Sequence, residues 1–214
     1  MYSHADADRV LRLPAGTARR WLNGYRRKGR LYEPVLRERA IDSDIVTWGE
    51  LVETRLLDEY RRKGAPIQRL RPAILKLRAE FGPYPLAHAH PLLDVEGREL
   101  VWRVQDELGL PPRLRLVVAG SGRGLVCAPA ARRFVEAAEY NAEREVARLY
   151  PQVGSKIVMI DPDYAQGQPA VRATPAEALR EQWEAGQSIA EIADLWEMEF
   201  GEVEAAVRYR TKAA

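Results

Sequence analysis

LPAGTARRWLNGYRRKGR, residues 13–30, carries six Lys and Arg side chains and one Trp. Pro14 cannot extend a preceding helix, because its ring clashes with the previous turn and it lacks an amide donor. Gly16 suits the N-cap of a second helix, and Gly24 suits the left-handed position that ends one. The stretch therefore predicts a turn followed by a helix over residues 17–23.

A short apolar pattern precedes this stretch. Ser3 and Asp6 have the spacing of a capping box, in which a hydroxyl and a carboxyl satisfy each other's backbone amides. The helix that they begin has an apolar face and is expected to end near Leu13. The second helix has its own buried face at i, i+3 and i+4, formed by Ala18, Trp21 and Leu22. Two helices joined in this way predict a helix–turn–helix unit.

With that face buried, the polar side chains of the second helix are expected to point outward together, where they could enter a major groove. They are Thr17, Arg19, Arg20 and Asn23. The following residues 25–32 predict a hairpin with its turn at Lys28-Gly29. Its basic residues would form a wing that contacts phosphates: Arg26, Arg27, Lys28 and Arg30. A solvated basic surface is the alternative, but a two-helix scaffold that aims the charges favours a DNA-binding unit.

The composition is that of an ordinary folded protein, with 46% hydrophobic and 30% charged residues among 214. No apolar run approaches the ~20 residues that a membrane-spanning helix needs, and the N-terminus has no features of a signal peptide. Cys127 is the single cysteine, which excludes an intrachain disulfide framework and a multi-thiolate metal site. We expect a cytoplasmic protein with no metal, no other cofactor and no membrane partner.

Positive and negative charges are distributed unevenly along the chain. Residues 1–36 hold eight Lys and Arg against three Asp and Glu, and residues 61–78 hold seven Lys and Arg and no acid. Residues 174–214 instead hold four Lys and Arg against nine Asp and Glu. A basic front and an acidic tail indicate two surfaces with different partners.

Two further helices complete the front of the chain. Thr47 and Glu50 repeat the capping-box spacing, so a helix is expected from there to Gly64. The next helix has an apolar stripe at i+3 and i+4 spacing, formed by Ile67, Leu70, Ile74, Leu77 and Phe81. Pro72 interrupts this helix and is expected to kink it or to shift its start.

The pattern changes between residues 86 and 155. RELVWRV (98–104) and LRLVVAG (114–120) are typical of strands, and APAARRFVEAAEYN (128–141) is typical of a helix. The glycine-rich GSGRG (120–124) is expected to be a hairpin turn, because the residues after it favour a strand. A phosphate-binding loop would need a helix there.

No residues of this middle region predict an active site. His88 and His90 would share one face of a strand, but no third ligand stands near them, so a metal site is not expected. Cys127 has no base partner and is expected to be a small core residue. We therefore do not expect an enzyme.

The tail from residue 156 begins with a short strand and continues with helical patterns. Thr174 is expected to cap a helix that Gly186 ends, and Ser188 is expected to cap the next. Periodicity leaves open whether that helix continues to the end of the chain or breaks near Gly201. The core of the resulting three-helix unit is expected to contain Trp183, Ile189, Ile192, Trp196 and Phe200.

The tail resembles DUF family 433, a family of small bacterial domains of unknown function. Its members show a strand, an IDP…GQP…T motif and a trihelical helix–turn–helix unit. The matching positions are Ile160, Asp161, Pro162, Gly167, Gln168, Pro169, Thr174, Gly186, Ser188, Ile192, Ala193, Val203 and Tyr209. The usual Arg-Gly-Thr is Arg172-Ala173-Thr174 here, so one glycine is missing. The front end resembles a MerR-type winged helix, with GTARRW (16–21) at the place of the recognition helix.

Together, the two ends resemble VapB-type antitoxins, which pair with PIN-like ribonuclease toxins. The resemblance implies an antitoxin of a type II toxin–antitoxin system that neutralises its toxin by direct binding. It also implies binding to the double-stranded promoter DNA of its own operon. We expect a homodimer that represses this operon. A ribonuclease needs a basic RNA path, which an acidic tail could cover. The alternative is a stand-alone MerR-like transcription regulator with a ligand-sensing middle region.

The chain is thus expected to adopt an α+β, mainly helical fold in three parts. Residues 1–85 would form a MerR-like winged helix–turn–helix domain that binds DNA. Residues 86–155 would form a small α+β region that connects or dimerises. Residues 156–214 would form a trihelical helix–turn–helix domain like those of DUF family 433.

Overall fold

The computed structural model describes residues 1–122, 124–152 and 154–209. Helices and strands are mixed, and about half of the residues are helical. The first elements in chain order are β1 (Tyr2–Ser3), α1 (His4–Val10), α2 (Thr17–Asn23), β2 (Tyr25–Arg27), β3 (Arg30–Tyr32), β4 (Ile45–Val46) and α3 (Trp48–Arg61). Three predicted caps are present as capping boxes, at Ser3 with Asp6, at Thr47 with Glu50 and at Ser188 with Glu191.

The turn between α1 and α2 depends on left-handed backbone conformations. α1 ends at Val10, earlier than predicted, and Arg12, after the C-cap Leu11, takes a φ of 59°. Gly16 and Gly24 flank α2 with φ values of 73° and 70°. A Cβ on Gly24 would lie 2.4 Å from the carbonyl oxygen of Tyr32, so only glycine fits between α2 and the hairpin.

The middle of the chain is more helical than its sequence predicts. Its elements are a 3₁₀ helix (Ile67–Leu70), α4 (Arg71–Phe81), a 3₁₀ helix (Pro85–Ala87), α5 (His90–Leu93), α6 (Val95–Glu107), a 3₁₀ helix (Pro112–Leu114), β5 (Val117–Ala119), β6 (Leu125–Cys127), α7 (Pro129–Glu136), β7 (Ala138–Tyr140) and β8 (Val146–Leu149). Pro72 stands in the first turn of α4, so it shifts the start of this helix, one of the two predicted effects.

Two predicted elements of this region are wrong. Residues 98–104 are not a strand but part of α6, whose buried residues recur at helical spacing: Gly97, Val101, Val104 and Gln105. The β-branched and aromatic residues that favoured a strand are compatible with this helix because its apolar face packs on the core. The helix predicted over 128–141 ends at Glu136, and its last residues form β7 instead.

The tail forms a small sheet and three helices. Its elements are β9 (Val158–Met159), a 3₁₀ helix (Ala165–Gly167), β10 (Ala170–Val171), β11 (Thr174–Pro175), α8 (Ala176–Glu184), α9 (Ile189–Leu195) and α10 (Phe200–Arg208), with the sheet in the order β11-β10-β9. Thr174 lies in β11 and does not cap α8, whose N-cap is Pro175. The last two helices are separate. Gly201 lies inside α10, and the break is at Glu197, with a φ of 52°.

The central element of the fold is α3, which is buried from Glu50 to Tyr60. It packs against α2, α7 and β8. Buried charges need partners, and Glu53 accepts hydrogen bonds from Arg78 and from the backbone N of Leu86. Burial nevertheless raises the pKa of Glu53 to about 7.

The described residues form two hydrophobic clusters, one from Tyr2 to Ile160 and one from Val158 to Tyr209. The Tyr209 hydroxyl donates to the carbonyl of Val10 at 3.1 Å, which ties the end of the tail to α1. Among the described residues, no helix is both long and apolar enough to cross a bilayer. The boundaries at residues 85 and 155 stay predictions.

Candidate DNA-binding site

Asp8 joins the two helices of the helix–turn–helix unit. Its Oδ1 accepts a hydrogen bond from the backbone N of Ala18 at 2.8 Å, and its Oδ2 accepts one from Thr17 at 3.1 Å. These amides belong to the first turn of α2, and the N-cap Gly16 has no side chain that could accept from them. A buried carboxylate on α1 therefore caps α2. Burial raises the pKa of Asp8, and the backbone N–H groups oppose this shift.

An open cleft of about 820 Å³ lies between α2 and the β2–β3 hairpin. Its lining contains four arginines, Arg19, Arg20, Arg26 and Arg27. The other described residues that line it are uncharged. Asp42 and Asp44 lie with Arg19 in the adjoining pocket and not in this cleft. A surface lined by positive charge attracts phosphates. The fold thus brings arginines of the predicted recognition helix and of the predicted wing to one surface.

Thr17 is not part of the outward face, contrary to the prediction. Its side chain is buried. Its hydroxyl donates to the carbonyl of Pro14 at 2.6 Å and accepts from Nη2 of Arg20 at 3.0 Å. The tight turn between α1 and α2 places the first residue of α2 beside Pro14. The periodicity of α2 alone does not predict this contact. Thr17 therefore positions Arg20 and is not placed to contact DNA itself.

Asn23 also turns toward the protein. Its Oδ1 accepts from Nη1 of Arg37 at 2.8 Å and from the backbone N of Ile41 at 3.2 Å. Arg37 is buried and makes a two-point ion pair with Glu50, at 2.6 and 3.0 Å. Asn23 thereby holds segment 37–45 against α2. The sequence did not predict this network. The one signal for it was Arg37, a charged residue directly after the apolar pair Val35 and Leu36.

The β2–β3 hairpin has the predicted turn. Both central residues have positive φ, 49° at Lys28 and 76° at Gly29, which is the pattern of a type I′ turn. At the open end of the hairpin the rings of Tyr25 and Tyr32 stack with centroids 4.6 Å apart. The basic side chains of the predicted wing are all exposed: Arg26, Arg27, Lys28 and Arg30. The hairpin is therefore a short projection whose surface is cationic.

The glycine-rich stretch and the histidines form no comparable site. β5 and β6 pair antiparallel around residues 120–124, so this stretch is a hairpin turn, as predicted, and Arg123 lies outside the described residues. His88 and His90 do not share a strand, because His90 begins α5. Within the described ranges, no three His, Cys, Asp or Glu side chains are grouped to hold a metal ion.

Four large apolar residues of the three-helix unit in the tail are exposed. Their exposed fractions are 41% for Trp183, 63% for Leu195, 38% for Trp196 and 55% for Phe200. We call these four residues the aromatic face. The indole Nε1 of Trp196 donates to Oε1 of Gln182 at 3.1 Å, which brings the end of α9 beside α8.

The prediction that three of these aromatic residues are core residues is wrong. The break at Glu197 shifts the phase of the apolar stripe, so Trp196 and Phe200 fall outside it. Three helices of nine residues or fewer enclose only a small core. That core contains Ile192, as predicted, together with Leu179, Val203, Ala206 and Val207, while Ile189 is partly buried against it. Acidic side chains next to these residues in the sequence are exposed as well: Glu181, Glu184, Asp194, Glu197 and Glu199.

Comparison with known families identifies the front of the chain. A family described as "Putative DNA-binding HTH domain" matches residues 1–74. This range contains α1, α2 and the hairpin, and therefore the whole arginine-lined cleft. The protein has an N-terminal helix–turn–helix domain of a DNA-binding family.

Relatives extend over most of the chain. "Uncharacterized protein Rv2308" of Mycobacterium tuberculosis is 34% identical over 222 residues, which cover 99% of this chain and 90% of that protein. "Putative antitoxin VapB45" of the same organism is 30% identical over 189 residues, which cover 79% of this chain and 75% of that protein. The crystal structure of Rv2018 from M. tuberculosis aligns with a TM-score of 0.77 over 96% of both chains. Its sequence identity is 24%, so it shows a shared fold.

Proposed function

The chain belongs to the family of Rv2308 and of the relative named "Putative antitoxin VapB45", and from this membership we propose that it is an antitoxin. In this proposal it neutralises a PIN-like ribonuclease toxin by direct binding and binds the promoter DNA of its own operon. The antitoxin role is taken from the name of the relative. The ribonuclease class of the toxin is taken from the resemblance to VapB-type antitoxins.

The observation that carries the DNA-binding part is the arginine-lined cleft. α2 presents Arg19 and Arg20 on one side, and the hairpin presents Arg26 and Arg27 on the other. A helix that enters the major groove needs a flanking element that contacts phosphates and fixes its register. We propose that Arg19 and Arg20 contact the major groove and its edges. We propose that the wing residues, including Lys28 and Arg30, contact the phosphates.

The aromatic face supports the toxin-binding part. Exposed apolar surface with a polar rim is typical of protein–protein contacts, and Trp is enriched among the residues that dominate their binding energy. The exposed carboxylates next to these residues in the sequence favour a basic partner. A ribonuclease has such a surface in the path that binds RNA phosphates. We therefore propose that the aromatic face covers the RNA path of the toxin and prevents RNA from entering.

The remaining assignments follow from this role. We propose that the protein is not an enzyme and that it acts in the cytoplasm, where both DNA and the toxin are present. We propose a homodimer that places two helix–turn–helix units on two half-sites and represses the operon. The MerR-like character of the front and the relation of the tail to DUF family 433 belong to the same proposal.

The test combines two binding measurements on the full-length protein. A mobility-shift titration uses DNA from upstream of its gene, and a pull-down uses the product of a neighbouring ribonuclease gene. An antitoxin binds both. DNA binding without a protein partner would contradict the antitoxin role and favour the stand-alone regulator. Absence of binding to any DNA would contradict the assignment of the cleft.

A further inference from the structure

A second arginine-lined cavity lies outside the DNA-binding cleft and shares no lining residue with it. Its volume is about 340 Å³. Three segments meet there: the turn after α1, the second half of α3, and the stretch from Leu149 to Ile160. We call it the arginine pocket after its four cationic residues, Arg12, Arg55, Arg61 and Arg62.

Asp58 holds two of these arginines side by side. Its carboxylate is fully buried; Oδ1 accepts from Nε of Arg61 at 2.8 Å and Oδ2 from Nε of Arg62 at 2.6 Å. One carboxylate thus orients two guanidinium groups and neutralises one charge. Cations in the last turn of a helix also interact favourably with its dipole. That interaction accounts for the position of this pair, but not for the other two arginines of the pocket.

Arg55 is a buried cation within the same wall. Its Nη1 donates to Oε1 of Glu59 at 2.6 Å. Glu59 is shared, because its Oε2 also accepts from Nε of Arg133 at 2.8 Å. Within the described part of the chain, only two carboxylates, those of Asp58 and Glu59, therefore pair with the four arginines of the pocket. Glu59 also pairs with Arg133 of α7. The pocket keeps an excess of positive charge.

Arg12 adds a cation where the backbone would favour glycine. Its φ of 59° is in the left-handed region, which costs a residue with a Cβ conformational free energy. Among the described residues it has no carboxylate within ion-pair distance. Its guanidinium lies 5.5 Å from the centroid of the Tyr209 ring, a contact that holds the side chain in place. An arginine at this position contributes charge to the pocket.

The lining indicates the chemical class of the ligand. Guanidinium groups bind phosphate oxygens through paired, charge-assisted hydrogen bonds. The rest of the described wall is uncharged, and Pro151 in it is partly exposed, which leaves room for a carbon skeleton beside the phosphate. The volume is near the lower end of the ~300–1,000 Å³ that ligand pockets occupy. We propose that the arginine pocket binds a small phosphorylated organic ligand of about the size of a nucleoside monophosphate.

The experiment uses calorimetric titration of the full-length protein with inorganic pyrophosphate, adenosine 5′-monophosphate and adenosine. The pocket variant is Arg12→Gln/Arg62→Gln, because both side chains are exposed and Asp58 keeps its ion pair with Arg61; circular dichroism and urea unfolding check that it is folded. The matched control is Arg26→Gln/Arg27→Gln in the wing. We expect the two phosphate compounds to bind and adenosine not to bind. The pocket variant should weaken phosphate binding by about tenfold or more, since two charge-assisted contacts are lost, and the wing control should not change it.

Promoter DNA supplies phosphates too, so the same variants are titrated with DNA. A ligand pocket predicts that the pocket variant keeps its DNA affinity while the wing variant loses it. No heat with either phosphate compound up to about 10 mM would overturn the proposal. So would equal phosphate binding by the pocket variant and the wild type. Loss of DNA affinity in the pocket variant would instead make these arginines part of the DNA-binding surface. None of these outcomes depends on a toxin.

Discussion

The carboxylate of Asp8 and the backbone N of Ala18 are joined by a 2.8 Å hydrogen bond between α1 and α2. Asp8 accepts a second bond from Thr17 in the same turn. Because Gly16 has no capping side chain, the helix that presents the cleft arginines is capped by its neighbour. The first turn of α2 therefore has these two acceptors only when α2 is docked on α1.

Replacing Asp8 by alanine should lower the free energy of unfolding by about 2 kcal/mol, because two buried N–H groups lose their acceptor. Urea unfolding measures this change. Asp42→Ala, at an exposed position, is the control and should have little effect. A loss of less than about 0.5 kcal/mol in Asp8→Ala would show that the cap does not stabilise the unit.

The double variant Arg19→Ala/Arg20→Ala should bind promoter DNA about tenfold or more weakly, since one good base contact is worth ~1–3 kcal/mol. A mobility-shift titration gives the affinities, and circular dichroism checks the fold. Arg103→Ala/Arg113→Ala removes two exposed arginines outside the cleft and should bind normally. Unchanged affinity in a folded Arg19→Ala/Arg20→Ala protein would remove α2 from the DNA-binding surface.

Neutralising Arg26 and Arg27 to glutamine should weaken binding to all DNA sequences about equally. Each lost phosphate contact lowers the steepness of log affinity against log salt by about 0.9. The slope should therefore become shallower by up to about two units, as measured by titrations between low and moderate salt. If the slope stays the same, the hairpin is only a solvated turn.

Glu53 should make stability depend on pH. Burial raises its pKa from 4.5 to about 7. Between these values the folded protein holds a proton that the unfolded chain has released. The free energy of unfolding should then fall as pH rises, by up to about 1.4 kcal/mol per pH unit, and level off above the folded pKa.

Glu53→Gln cannot ionise, so this fall should be absent from its urea-unfolding curves between pH 5 and about 7. Glu96→Gln, at an exposed position, should behave like the wild type. Equal pH profiles for Glu53→Gln and the wild type would contradict the raised pKa.

Local signals in the sequence predicted α1, α2, the hairpin and α3, although α1 and α3 end earlier than predicted. The capping boxes at Ser3 and Thr47, and the turn at Lys28-Gly29, depend on residues at most four positions apart. Such interactions can be recognised in the sequence because both partner residues lie within a few positions of each other. The wing and the helix of the candidate site could be located for this reason.

Side-chain directions were harder to predict where a distant partner decides them. Asn23 points inward because Arg37 and segment 37–45 bind it, and Thr17 does so because the turn places Pro14 beside it. In the tail, the left-handed backbone of one residue, Glu197, separates α9 from α10. The apolar spacing of the sequence continues across this residue and gives no sign of the break. The exposed positions of Trp196 and its neighbours could not be read from that periodicity.

The proposed antitoxin role is tested most directly by the activity of the proposed toxin, a ribonuclease sought beside this gene, measured on RNA with increasing amounts of the full-length protein. We expect inhibition that is complete near one protein chain per toxin chain. Leu195→Ser/Phe200→Ser should inhibit about tenfold less well or worse, because exposed apolar anchors are lost. Val95→Ser/Leu108→Ser, which changes exposed apolar residues elsewhere, should inhibit like the wild type. Full ribonuclease activity in the presence of excess wild-type protein would contradict the account.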